Sequence, residues 1–294
     1  MRVTQSMLSS NMLRNLSNSY AKMSKLQNQV DTGKKITRPS DDPVVAMKGI
    51  GYRTTLDKVE QYQRNIGEAN NWLDTSDDTL DKVGSALQRA NELVNQAANG
   101  TNTDEDRLKI QSELDQIREH IQDLSNTKIG DKYIFSGTNT TTPLYDKTAD
   151  YPNGYPTIDP ANKSGFEKDV EIEVFDGITL KVNTNAIDLF KNIDQMFQDI
   201  KDGTVEYGDA IGTIDTQMNA LLTTRANIGA RQNRVELMDN RLESQEIIAT
   251  EQMSKNEDVD YEIAITELIT QESIHSAALS VGARIIQPTL VDFL

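Results

Sequence analysis

The chain has 294 residues with 30 Lys and Arg against 46 Asp and Glu, a net charge of −16, and no cysteine. That charge argues against a surface that binds nucleic acid throughout, and the cysteine count excludes disulfides and thiolate-held metals. No run approaches the roughly 20 apolar residues that a membrane-spanning helix needs. The opening MRVTQSMLSSNML lacks the continuous apolar stretch of a secretory signal, so composition alone places the chain in the cytoplasm.

In chain order, Leu13, Leu16, Tyr20, Met23 and Val30, with Gln27 completing the series, alternate three and four apart. This predicts a helix with one apolar seam. TGKKITRPSDDPVVA follows, residues 32–46. It superficially resembles a phosphate loop, but the upstream Gly and preceding strand are missing. Asp41 and Asp42 are adjacent, so they point different ways on a helix, and no third acid or His stands near. The segment reads instead as a joint. Gly33 ends one helix, Arg38 and Pro39 lead to Ser40 as the next N-cap, Asp41 and Asp42 favour the helix dipole, and Pro43 loses no needed N–H.

Helical seams then recur at Leu80, Val83, Leu87, Ala90, Val94 and Ala97, and at Ile110, Leu114, Ile117, Ile121 and Leu124. Residues 131–160 are rich in Thr, Pro, Asn, Gly and Tyr. VEIEVF and ITLKVN flank Asp176-Gly177, which predicts a β-hairpin. A short amphipathic helix carries Leu189, Ile193, Met196, Phe197 and Ile200. Ile214, Leu221, Ile228, Val235 and Leu242 recur every seven residues, and an apolar stripe runs from Ile263 to Ile286.

The expected fold is mainly α: a long antiparallel helical rod or coiled-coil bundle formed by both chain ends, with a small inserted β-containing domain. The expected boundaries are 1–40 with 255–294 for a terminal assembly domain, 41–130 with 186–254 for a rod, and 131–185 for the insertion. The ends carry opposite charge, +6 over residues 1–40 and −5 over 255–294, and are expected to pair. His120 and His275 have no metal-type partner at i+4, and Trp72 reads as packing. No catalytic, metal or cofactor site is expected, and no enzyme.

LQRANELVNQAANGTNTDEDRLKIQSELDQI (87–117) resembles the rod segment of bacterial flagellins, TGKKITRPSDDPVVA their joint, and LLTTRANIGARQNRVELMDN (221–240) their returning rod helix. Within that superfamily, GDKYIFSGTNT and the closing ALSVGARIIQPTLVDFL are similar to the hook-associated protein 3 branch, the hook–filament junction. The resemblance implies an extracellular structural subunit exported unfolded, without a cleaved signal peptide, and it overrules the cytoplasmic placement. It implies as partners hook-associated protein 1, flagellin, copies of itself in a ring layer and an export chaperone, with no nucleic acid and no membrane. Leu13, Leu16, Tyr20, Met23, Val30, Ile274, Ala278, Val281 and Ile285 would form the assembly interface. Arg89, Leu93 and Glu113 match a host-receptor epitope, with exposure expected because Leu93 and Glu113 lie off the seams. Two rival readings are a flagellin proper and, more distantly, a basic amphipathic arm that binds anionic membrane or nucleic acid.

Overall fold

The computed structural model describes residues 5–99, 103–147, 154–156 and 165–286. Six helices and four short strands follow one another: α1 (Gln5–Thr32), α2 (Pro43–Ala98), α3 (Asp104–Ser125), β1 (Lys128–Ile129), β2 (Lys132–Tyr133), β3 (Glu171–Phe175), β4 (Ile178–Lys181), α4 (Ile187–Lys201), α5 (Tyr207–Glu257) and α6 (Tyr261–Ile286). Two compact units result, residues 1–58 with 245–294, and residues 59–244.

The second unit holds a continuous apolar core. Its α5 contribution is the seven-residue series Ile214, Leu221, Ile228, Val235 and Leu242, every member buried. Antiparallel to it, α2 contributes Leu80, Val83, Leu87, Ala90, Val94 and Ala97. Polar side chains along the rim fix the pairing: Arg225 Nε donates to Asp77 at 2.8 Å, Gln232 to Asp74 at 2.8 Å, and Asn91 to Asp215 at 3.3 Å. Since α2 is 56 residues long and also buries Val59, Ile66, Trp72, Leu73 and Leu93, it packs on more than one side. Thr103 caps α3, accepting the Asp106 N–H at 3.3 Å.

The middle of the chain packs on the same core. The β3–β4 hairpin turns at Asp176-Gly177, with Gly177 at φ +72 and a bulge between Glu173 and Phe175 that turns Val174 inward. A second hairpin, β1–β2, turns around Gly130 at φ +58. Ile134, Phe135, Leu144, Val174 and Leu180 join the cluster that contains Leu87 and Leu221. On α4, Asp194 is buried against α3, where Arg118 grips it with two bonds of 2.7 and 2.9 Å and Gln122 adds a third at 2.7 Å. A buried carboxylate is tolerable only when paired in this way.

Candidate assembly surfaces

The α1–α6 pair is built the other way round. The residues that turn inward on α1 are Ser9, Met12, Leu16, Ser19, Met23, Leu26 and Val30, and on α6 Ala264, Leu268, Gln271, His275, Ala278 and Gly282. Both sets keep three-and-four spacing. The helices run antiparallel: Gln271 Nε2 donates to Ser19 Oγ at 2.7 Å, and a Cβ on Gly282 would collide with the Met12 thioether. His275 stands against Tyr20 with ring centroids 6.2 Å apart. On α6 small and polar groups fill most of the seam, against Met12, Leu16, Met23, Leu26 and Val30 on α1, and further large apolar residues of both helices face out. Leu13 is 59% exposed and Tyr20 62%, and Met7, Leu8, Ile263, Ile265, Ile269, Ile274, Leu279 and Val281 are exposed as well.

Of the nine residues expected at the assembly interface, Leu16, Met23, Val30 and Ala278 are half-buried and turn into the seam of the α1–α6 pair, whereas Leu13, Tyr20, Ile274 and Val281 point to solvent. The Ile285 side chain lies outside the described residues. The expected α1 seam is displaced by one position at every second member, 12, 19 and 26 in place of 13, 20 and 27. The partner causes this, because α6 presents Ala, Gly, Gln and His at matching spacing, and Ser19 fits where a Tyr ring would not. That spacing of small residues on α6 is the signal that sequence reading passed over.

Alpha-helix apolar residues that lie all round the axis mark a helix surrounded by neighbours. In this chain α6 packs against α1, and Ile263, Ile265, Ile269, Ile274, Leu279 and Val281 stay exposed. A side chain of Leu or Ile size contributes about 1.5–3 kcal/mol on full burial, and the single chain leaves that burial unmade at these outward residues.

At the joint, Gly33 has φ +68 and its Cα packs under Tyr261, where a Cβ would lie 2.6 Å from the hydroxyl; glycine is required on both counts. Ser40 is not the N-cap of α2. Asp42 is, its Oδ1 accepting from Val44 N–H at 2.9 Å and Val45 N–H at 3.1 Å, with Pro43 as first helical residue. Asp41 instead closes the preceding turn, accepting from the Arg38 and Thr37 amides at 3.1 and 3.3 Å. The Arg38 N–H holds the Asp41 carboxyl below the usual carboxylate range. Both carboxylates accept backbone N–H groups of the joint.

The two joints pair with one another. Val259 N–H donates to Gly33 O at 3.0 Å, Lys35 N–H to Glu257 O at 2.6 Å, and Lys34 Nζ lies 2.6 Å from Asp258 Oδ1. Among the described residues the ion pairs that join residues 1–40 to 255–294 are those of Lys34 with Glu257 and Asp258. The opposite charges of the ends thus meet at the joint, not along the α1–α6 seam.

Models of the bacterial flagellin N-terminal helical region and C-terminal helical region match residues 3–140 and 211–294, together well over half of the sequence. The chain belongs to the bacterial flagellin family. Flagellar hook-associated protein 3 of Escherichia coli (strain K12) is 27% identical over 300 residues, covering 95% of each chain. The flagellin of Bacillus subtilis (strain 168) is 26% identical over 291 residues, covering 95% of this chain and 93% of its own. The fold is shared with the crystal structure of flagellar hook associated protein-3 from Legionella pneumophila, at a TM-score of 0.59 and 13% identity, over 69% of this chain and 97% of that one.

The residues expected as a flagellin-type receptor epitope do not form one exposed patch. Arg89 and Glu113 are at the surface and joined, Arg89 donating to Glu113 Oε1 at 2.8 and 3.0 Å and to Glu92 at 2.9 Å. Leu93 is 2% exposed, which corrects the expectation of exposure. Packing on more than one side of α2 buries both 93 and 94, so lying off one seam does not imply facing water. His120 is exposed, His275 sits in the α1–α6 seam and Trp72 is in the core. Among the described residues no group of three or more His, Asp or Glu is placed to hold a metal.

Proposed function

We propose that this chain is a structural subunit of the flagellar hook–filament junction, forming a layer between hook-associated protein 1 and flagellin. The observation that carries the reading is the inverted α1–α6 pair: its large apolar residues face outward in a family whose members build flagella. Similarity to hook-associated protein 3 along nearly the whole length of both chains supports the junction over other flagellar positions. In this reading residues 1–40 and 255–294 form the assembly part, 41–130 and 186–254 the rod, and 131–185 a surface insertion. The subunit is exported unfolded with a chaperone, without cleavage, and assembles outside the cell in a ring of copies. It has no catalytic role.

Electron microscopy of flagella from a strain lacking the gene tests this. Bare hooks with flagellin shed into the medium support the junction, and normal filaments contradict it. The similarity to a flagellin over 291 residues supports a second reading, the filament subunit itself. A purified flagellin propagates on its own seeds, whereas a junction protein stops after a layer on its template.

A further inference from the structure

The joint contains one charged side chain that its caps and turns do not use. Glu257, the last residue of α5, is 3% exposed. Its Oε2 lies 2.5 Å from Arg53 Nη2 on α2 and 3.8 Å from Lys34 Nζ in the segment after α1. Its other oxygen fills the space over Gly49: a Cβ built there would stand 2.1 Å from Oε1 and 3.1 Å from the carboxyl carbon. The backbone on either side is tied to the same place. Glu257 O accepts from Lys35 N–H, Asn256 Nδ2 donates to Val45 O at 2.9 Å, and Asp258 holds Lys34. Three chain passages, the exit of α1, the first turns of α2 and the end of α5, therefore meet at one carboxylate inside the terminal unit.

We propose that Glu257 is a conformational latch, seated on Gly49 and closed by Arg53 and Lys34, which fixes the joint and with it the entry to the α1–α6 pair. A carboxylate withdrawn from water requires its cations, so losing either the charge or the seat opens the site. The consequence passes to α1 and α6, because the Gly33–Val259 bond that joins the end of α1 to the start of α6 lies directly beside it. Their thin seam does not hold them in place unaided. The latch gives the α1–α6 pair one orientation relative to the first turns of α2 and the end of α5 in the free chain.

The test uses the full chain and amide hydrogen exchange at Lys35 and Val259. Gly49→Ala drives a methyl into the carboxylate. Gly51→Ala, two residues along the same helix, adds a methyl that meets nothing within 4 Å. We expect Gly49→Ala to accelerate exchange at both amides about tenfold, the scale for a buried carboxylate whose cations are half-exposed, and Gly51→Ala to leave them unchanged. Arg53→Met, which adds no volume at the seat, should accelerate them like Gly49→Ala. In the Gly49→Ala/Glu257→Asp double variant the shorter acid withdraws from the methyl, and protection should return in part. Amides of the second unit, such as Leu87 and Ile214, report that each variant is folded. Equal exchange in Gly49→Ala and Gly51→Ala, or unchanged exchange in Arg53→Met, overturns the latch.

Discussion

The α2–α5 core and the α1–α6 pair use the same three-and-four spacing to opposite ends. In the core, Leu, Ile and Val meet across the interface, and the buried carboxylate of Asp194 is paired. In the terminal pair, Ser19, Gln271, His275 and Gly282 face inward while Ile269, Ile274 and Val281 face water. Periodicity thus sets which positions of a helix meet a partner, and the size and polarity of those residues decide whether the partner within the chain is sufficient. A core packed from within stabilises the free chain. In the proposed function, a pair that keeps many large side chains on its outer faces is completed by other molecules.

This contrast breaks most sharply at the buried charge. Arg118→Ala leaves Asp194 without its cation, and we expect a loss of about 3–5 kcal/mol in urea unfolding of the second unit. Leu221→Ala, in the middle of the α5 series, should cost about 2–5 kcal/mol in the same measurement. Leu13→Ala removes a comparable side chain from the terminal pair, yet should cost no more than about 0.5 kcal/mol in the free chain while weakening attachment to the assembled hook. A Leu13→Ala loss equal to that of Leu221→Ala would erase the distinction between the two regions.

Smaller effects sharpen the account of the joint. Asp42→Ala removes the α2 cap and should cost about 1 kcal/mol, whereas Ser40→Ala should have no measurable effect. The reverse order would restore Ser40 as the cap. The joint is also expected to loosen in acid. Asp258 is held below the ordinary aspartate value of 3.8, first by its bond from Lys34 and then by that from Ser254. A depressed folded value contributes stability that is present above 3.8 and is lost as pH falls through the folded value. Exchange at Val259 should therefore rise below about pH 4 relative to core amides, and Asp258→Asn should reduce that dependence.

Much of this arrangement is legible in the residues alone. The repeat from Ile214 to Leu242 identifies the most buried positions of α5, because a seven-residue spacing returns to the same face of a helix every two turns. Asp176-Gly177 places the hairpin, since few sequences other than Asp-Gly tolerate that turn. Gly33 places the end of α1. The errors share a cause, which is that a single helix does not reveal how many neighbours it has. Leu93 is buried because α2 packs on more than one side, and Tyr20 is exposed because Ser19, bonded to Gln271 of α6, takes the seam position beside it. The β1–β2 hairpin was missed because Lys128–Ile129 and Lys132–Tyr133 are too short to alternate. The choice of Ser40 over Asp42 followed residue preference, which does not separate two capping residues two positions apart.

The claim that the terminal pair is completed by neighbouring molecules is tested most directly by amide hydrogen exchange along the whole chain, measured once on the free monomer and once on the assembled junction. The account predicts fast exchange throughout α1 and α6 in the monomer, strong protection of both after assembly, and the same slow exchange at Leu87, Ile214 and Leu221 in both states. Strong protection of α1 and α6 already in the free monomer, equal to that of the α2–α5 core, would contradict it.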